Sequence, residues 1–310
     1  MKSVFHYQLA LHATVFVWGF TGIIGDLISL EALPLVWYRM LIALITLFIY
    51  LKWVGAEIIV DIKTTLALLA TGVVTAAHWI TFFHAIKISN VSVALACLSS
   101  GALFASMLEP IVFKRRIRPY ELVLGVLVVV GLYTIFFFEG DHYFWGIITA
   151  ITSACLASIF SIVNGKYIQR IRPGVISIYE MLGGWLAVSI YLLLDGRLLE
   201  SNFFILNSSD WFYLVILGTI CTAVAFVIGV KVMKKLSPFT VILSTNMEPV
   251  YGIVLALLIN GEKEHMSPQF YYGTLGIISA IVINALVKKR INKGLKALIP
   301  KNAQNSDSDI

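Results

Sequence analysis

The sequence has few charged residues for its length. Asp, Glu, Lys and Arg make up 13% of the 310 residues, whereas hydrophobic residues make up 59%. A soluble domain usually has about 25% charged and about 45–50% apolar residues. Because a water-soluble fold cannot bury such an apolar excess, we expect lipid to cover part of the surface. The composition therefore predicts an all-α integral membrane protein.

Chemical motifs are equally scarce. The three cysteines, Cys97, Cys155 and Cys221, lie in apolar segments without CxxC or Cys/His ligand spacing, which indicates neither disulfides nor a zinc site. The sequence has no GxxxxGK[ST], HExxH or GxSxG motif. We therefore expect no catalytic residues, no metal and no cofactor, and a protein other than an enzyme. The Lys and Arg residues behind the net charge of +6 stand between apolar segments, so no nucleic-acid partner is expected.

Long apolar segments dominate what remains. A transmembrane helix needs about 20 apolar residues to cross a hydrocarbon core of about 30 Å. Ten segments meet this requirement, joined by short loops, and they predict ten transmembrane helices: 7–28, 32–51, 65–86, 91–113, 120–138, 144–167, 174–194, 211–230, 237–259 and 268–288.

The basic residues of the loops predict the orientation of these helices. If both termini are cytoplasmic, the inside segments carry 19 Lys and Arg residues and the outside segments carry 3, while Arg39 lies within a helix. Such an excess of Lys and Arg is typical of the cytoplasmic side. We therefore expect both termini in the cytoplasm, with a disordered tail over residues 291–310, whose end is rich in Asn, Ser and Asp.

The two halves of the chain are weakly similar to each other. A shift of 148 residues places Lys87 on Lys235 and Ser89 on Ser237. Five helices per half is an odd number, so the second half would enter the membrane from the opposite side. We predict two inverted repeats, residues 1–140 and 141–290, an arrangement that recurs in secondary transporters with a substrate site between the repeats.

Several short segments carry a resemblance to a known family. They are Val17-Trp18-Gly19-Phe20, Pro34 followed by Tyr38-Arg39, Met247-Glu248-Pro249-Val250, and Asn260-Gly261-Glu262. In this order, and within ten helices, they resemble the drug/metabolite transporter superfamily, specifically its EamA-like ten-helix permeases, over residues 7–288. The resemblance implies export or import of small metabolites such as amino acids, sugars or drugs.

Glu248 is the first candidate for a functional residue. It is expected roughly 16 Å into its helix, near the middle of the bilayer, at 1.5 Å per residue. Pro249 follows it and removes a backbone hydrogen bond, while Asn246 adds an amide nearby. The Glu248 carboxylate, the amide and the freed backbone carbonyl can together bind an ammonium group or carry a coupling proton. Acids within membranes are usually functional, which favours such a role. The alternative is a structural acid paired with Arg39.

Arg39 and Glu180 occupy similar places in the two halves, since a shift of 141 residues superposes Tyr38-Arg39-Met40 on Tyr179-Glu180-Met181. Arg39 can bind a carboxylate or phosphate with two hydrogen bonds. It can also form a structural ion pair or extend toward the interface. The opposite charges suggest that the halves offer unlike groups to a zwitterionic or polar substrate.

Other residues complete the hypothesis. Trp18, His78 and Trp79 are candidates for lining the cavity, with packing or an interfacial aromatic belt as the alternative. Glu109, near the cytoplasmic interface, is expected to serve structure or gating. Glycine pairs are expected at close helix contacts: Gly22/Gly25, Gly125/Gly131, Gly183/Gly184 and Gly273/Gly276.

These features together predict a secondary active transporter. It would move a small polar metabolite, such as an amino acid or related compound, across the cell inner (cytoplasmic) membrane by alternating access, with proton-coupled export as one mode. The expected partners are the metabolite, the lipid bilayer and protons, and the protein would be a monomer or homodimer. The alternative is a membrane-embedded enzyme or a channel.

Overall fold

The computed structural model describes residues 2–114, 119–201 and 203–298, and their regular elements are all helical. A π-helical stretch, Thr219–Val224, joins α8 to α9, and 3-10 turns occupy Arg197–Leu199 and Gly261–Glu264. The α-helices are α1 (Lys2–Leu27), α2 (Ala32–Trp53), α3 (Ile62–Ile88), α4 (Val91–Leu98), α5 (Gly101–Val112), α6 (Pro119–Tyr167), α7 (Pro173–Leu194), α8 (Ser208–Gly218), α9 (Ala225–Val232), α10 (Pro238–Thr245), α11 (Glu248–Asn260) and α12 (Pro268–Leu298).

Eight helical segments within the described ranges are long and apolar enough to cross a membrane. Three of them contain a break, because α4 and α5, α8 and α9, and α10 and α11 each form one segment. The positions agree with eight of the ten segments predicted from the sequence: Val4–Leu27, Ala32–Trp53, Ile62–Ile88, Val91–Val112, His142–Tyr167, Pro173–Leu194, Ser208–Val232 and Pro238–Asn260.

The other two predicted segments are also helical but differ in length. Helix α6 has a non-helical residue at Tyr143, and the apolar part before this kink, Val123–Glu139, is shorter than the eight spans. Helix α12 continues past the predicted end at residue 288 to Leu298. Residues 291–298 of the predicted disordered tail are therefore helical, because their Leu, Lys and Ala residues favour helix. Residues 299–310 lie outside the described residues.

Side chains at the helix starts explain where several helices begin. The carboxylate of Asp61 accepts a hydrogen bond from Thr64 N at 3.1 Å, and Asn207 Oδ1 accepts one from Asp210 N at 2.6 Å. Each satisfies a backbone amide that the helix itself leaves free. Hydrogen bonds from Thr64 also hold the pKa of Asp61 below its usual value.

Helix α3 lies at the centre of the bundle and packs along both α6 and α7. A Cβ added at Gly183 of α7 would lie 2.2 Å from Leu69 O, so only glycine permits this backbone contact. The other predicted glycines also face atoms within 3.1 Å, except Gly276, where nothing lies within 4 Å. The prediction of close packing is wrong for Gly276, because no atom of the described residues lies within 4 Å of a Cβ added there.

Candidate functional site

A cavity of about 100 Å³ lies between the two halves of the chain. Its walls come from α1 to α5 on one side and from α6, α9, α10 and α11 on the other. It extends from Arg39 and Phe82 toward Met233 and Val241, where α9 ends and α10 begins. Five of the seven predicted site residues line it: Trp18, Arg39, His78, Trp79 and Glu248.

Arg39 is almost completely buried, with 2% of its surface exposed. Its guanidinium carbon lies 3.9 Å from the centre of the Trp79 ring, and its Nε donates to Thr222 Oγ1 at 2.6 Å. The ring face and the hydroxyl both stabilise the cation. Its Nη1 has no hydrogen-bond partner among the described residues. The guanidinium is therefore held on one side and has donor capacity left for an anion.

The π-helical stretch Thr219–Val224 positions the acceptor for Arg39. Thr222 Oγ1 donates to Leu217 O at 2.6 Å, five residues earlier, which matches the wider π-helical turn. Such turns inside α-helices often occur at functional sites. Because the Thr222 hydroxyl donates its hydrogen to Leu217 O, its oxygen can accept the hydrogen bond from Arg39 Nε. The π-helical stretch therefore helps to orient the buried guanidinium of Arg39.

Glu248 begins α11 and is 7% exposed. Met247 and Asn246 separate it from α10, so the long segment Pro238–Asn260 is interrupted where the acid enters the cavity. No hydrogen bond to its carboxylate and no ion pair with Arg39 within 4.0 Å occurs among the described residues. The two opposite charges therefore share one cavity without closing on each other, which leaves both groups available to a ligand.

His78 links α3 to α6 at the cavity wall. Ser153 Oγ donates to His78 O at 2.9 Å, and His78 Nδ1 donates to Ser153 O at 3.0 Å, because a carbonyl oxygen can only accept. This assignment leaves Nε2 as a hydrogen-bond acceptor. The ring stacks on Phe82 and leans on Phe160, with centroid distances of 6.4 and 5.4 Å. His78 therefore joins α3 to α6 through Nδ1, while its Nε2 is an acceptor in the aromatic wall of the cavity.

Aromatic rings form much of the remaining wall. Phe226 contacts Trp79 and Phe160, each at a centroid distance of 6.0 Å. The Trp18 ring lies over Gly229, where an added Cβ would be 2.8 Å from the ring edge. A flat, apolar enclosure with a few polar groups is typical of sites for small organic ligands.

Two predicted site residues lie off the cavity. Glu180 is fully buried between α3 and α7, and its Oε2 accepts from Asn164 Nδ2 at 3.3 Å. Asn164 lines the cavity, so Glu180 reaches it only through this amide. Asn246 borders a separate small space beside Leu124 and Phe239. Glu180 and Asn246 lie elsewhere because their helix faces point toward neighbouring helices, a direction that sequence position alone does not specify.

Sequence reasoning missed several lining residues. Phe82, Phe160 and Phe226 belong to aromatic-rich apolar segments in which nothing distinguishes the cavity side from the lipid side. Ser161 and Thr245 also line the cavity. Intramembrane polar residues are the one available signal, and they are too frequent in these helices to identify the site alone.

Comparison with known proteins decides the class of this molecule. The model of the EamA-like transporter family matches residues 7–137 and 144–286. The chain belongs to the EamA-like transporter family. The resemblance inferred from the sequence is thereby confirmed, and the apolar helices of this family member are those of a multi-pass membrane transporter.

Individual relatives agree with this assignment. An uncharacterized transporter from Clostridium kluyveri is 23% identical over 228 residues, covering 71% of this chain and 72% of its own. An uncharacterized transporter from Archaeoglobus fulgidus is 22% identical over 292 residues, covering 90% and 96%. A solved crystal structure superposes with a TM-score of 0.69 at 15% identity, covering 91% of this EamA-like chain and 98% of the other. That likeness concerns the fold.

Proposed function

We propose that this transporter is a secondary carrier that moves a small polar metabolite, such as an amino acid or related compound, across the cytoplasmic membrane by alternating access. The observation that carries the proposal is the shared cavity of Arg39 and Glu248, which holds opposite charges in an aromatic enclosure between the two halves. A zwitterion can pair with both groups at once, whereas a purely apolar solute offers nothing to Arg39 Nη1 or to the Glu248 carboxylate.

The architecture in this proposal is ten transmembrane helices in two inverted repeats, with both termini in the cytoplasm. Two family matches, one in each half of the chain, support the repeat. Val123–Glu139 serves as the fifth helix and Pro268–Leu298 contains the tenth. The first is shorter than a typical span, and local thinning of the bilayer accommodates such a helix at a modest energetic cost.

Substrate binding follows from the free donor on Arg39. The substrate carboxylate accepts from Nη1, which has no hydrogen-bond partner in the part of the chain that the structure describes. The substrate ammonium or a hydroxyl then lies toward Glu248, and its carbon skeleton packs on Trp79 and Trp18. Glu248 also carries the coupling proton in this proposal, because it is the acid that lines the cavity of the substrate and intramembrane acids commonly form proton relays. Exchange of this proton for the substrate couples export to protons.

A counterflow screen tests the carrier function. Purified protein in liposomes is loaded with unlabelled amino acids, sugars or amines, and uptake of the labelled compound is measured. We expect counterflow with at least one zwitterion, and loss of it in Arg39→Gln. Retained counterflow with Arg39→Lys at much weaker affinity is also expected, since lysine keeps the charge but not the forked donor. No counterflow with any compound would contradict the proposal.

Glu248→Gln tests proton coupling separately. Gln keeps the size and one acceptor but cannot be protonated in this pH range, so counterflow should persist at weaker affinity while uphill transport driven by a pH gradient is lost. Glu262→Gln is a matched control, because Glu262 is exposed on the turn after the same helix. Full proton-driven uphill transport by Glu248→Gln would show that the proton travels elsewhere.

A further inference from the structure

Two buried glutamates connect the ends of neighbouring helices that belong to opposite halves. At one end, Glu264 accepts from Val91 N at 3.1 Å through Oε1 and from Ser92 N at 2.9 Å through Oε2. Glu264 follows α11, whereas Val91 and Ser92 begin α4. Its exposed fraction is 1%, so both hydrogen bonds lie away from solvent.

The same arrangement recurs at the opposite end with the roles exchanged. Glu109, in the last turn of α5, accepts from Phe239 N at 2.5 Å through Oε2. Phe239 lies in the first turn of α10, and Glu109 is 5% exposed. The segments α4–α5 and α10–α11 thus run side by side, and each places an acid against the start of the other.

These acids bind amides other than the one that each local cap takes. Asn90 Oδ1 already accepts from Val93 N at 2.8 Å, and Ser237 Oγ accepts from Thr240 N at 3.2 Å. Each helix therefore has its own cap, and the long-range carboxylate takes the amides nearer the start. The first amides of a helix have no partner within it and attract negative charge. The contacts of Glu264 and Glu109 consequently hold the two halves together, and neither helix needs them in order to form.

When one end of the carrier opens, water can replace the carboxylate as the hydrogen-bond partner of these helix amides. Breaking the hydrogen bond between a buried amide and its carboxylate costs free energy if the amide then has no partner. The cost is much smaller if a water molecule takes the place of the carboxylate. Opening one end of a carrier admits water to that end. Both ends use a carboxylate against helix amides, so either contact can be broken while the other stays closed.

We infer that Glu264 and Glu109 are reciprocal gate latches, which hold the outer and the inner end of the carrier closed, respectively. This inference rests on the proposed carrier function and on the orientation predicted from the loop charges. The loops after α3 and α11 then face outward, and the loop between α9 and α10 faces the cytoplasm. Asn260 Nδ2 strengthens the outer latch, since it donates to Glu264 Oε1 at 3.4 Å and to Asp26 Oδ2 at 2.9 Å.

Cysteine accessibility tests the direction of each latch. Cys97, Cys155 and Cys221 are replaced by Ala, and a reporter thiol is introduced by Thr245→Cys on the cavity wall. A membrane-impermeant maleimide is added to right-side-out or inside-out vesicles. We expect Glu264→Gln to raise the labelling rate from outside by about tenfold, and Glu109→Gln to raise it from inside by a similar factor, because each shifts the population toward one open state.

Matched controls separate gating from a general loss of packing. Glu262→Gln changes an exposed acid in the same turn as Glu264, and Glu57→Gln changes an exposed acid outside the spans; neither should alter labelling. Glu264→Asp keeps the charge with poorer reach and should give an intermediate rate, which preserves the test if Glu264→Gln folds poorly. Equal labelling of Glu264→Gln and Glu262→Gln, or a shift of both latch variants in one direction, would overturn the inference. The assay needs no substrate, so its result is distinct from that of the counterflow screen.

Discussion

At the scale of single residues, the site depends on how Arg39 is held. A buried guanidinium costs at least about 2.5–3.5 kcal/mol in a membrane, so it needs compensation. Trp79 and Thr222 supply part of it and Nη1 remains open. A guanidinium that is only partly satisfied is fixed in direction yet still gains from an anionic ligand, which is the condition for reversible binding.

Thr222→Val tests this arrangement. Valine has the same shape but removes the oxygen that accepts from Arg39 Nε. Hydrogen bonds to charged groups contribute about 1.5–3 kcal/mol, so we expect substrate binding at least about tenfold weaker. Dissociation constants from tryptophan fluorescence or counterflow give the measurement. Thr219→Val is the control, because that hydroxyl donates to Val215 O in its own helix and makes no hydrogen bond with Arg39; equal losses in both variants would show that the Arg39 contact is irrelevant.

At the scale of helices, the sequence predicted where the helices lie better than where they are interrupted and which way their side chains face. Segment length and apolar composition placed the eight spans within a few residues. The interruptions between Leu98 and Gly101 and over Thr219–Val224 were not predicted, because no proline stands at either one and the adjacent Gly101 and Gly218 are equally typical of close helix packing. Pro249 correctly indicated the third interruption, beside Glu248. The helix faces of Glu180 and Asn246 were likewise set by packing, which explains why two predicted site residues lie off the cavity.

The crossing of α3 and α7 provides a prediction at this scale. Gly183→Ala places a methyl group 2.2 Å from Leu69 O, which forces the two backbones apart. Overpacking of this kind typically costs about 1–3 kcal/mol. We expect a lower apparent melting temperature in detergent, followed by scattering or tryptophan fluorescence.

Gly276→Ala is the natural comparison for that variant. Nothing lies within 4 Å of the added methyl group, and alanine favours helix over glycine by roughly 0.5–1 kcal/mol. This substitution should leave the melting temperature unchanged or raise it. If Gly183→Ala were as stable as Gly276→Ala, the backbone contact between α3 and α7 would not contribute to the fold.

At the scale of the whole molecule, charge and symmetry support each other. The alternation of basic and non-basic loops fits ten crossings, because one missed or extra helix would reverse it from that point on, and two halves of five helices each must be inverted. The reciprocal contacts of Glu264 and Glu109 fit such an inversion, because each acid meets a helix start at the opposite end. The cavity lies between these contacts and reaches toward the α9–α10 end.

The short helix Val123–Glu139 is the decisive element for this topology, since without its crossing every later loop changes sides. We expect a reporter fused after residue 141 to lie outside and reporters fused after residues 116 and 289 to lie inside. In a bacterial host, alkaline phosphatase should be active only at the first position and green fluorescent protein fluorescent only at the other two. Fluorescence after residue 141 would mean that this helix does not cross. The 19 to 3 bias of basic residues would then be scrambled from that point onward, which the physics of membrane insertion strongly disfavours.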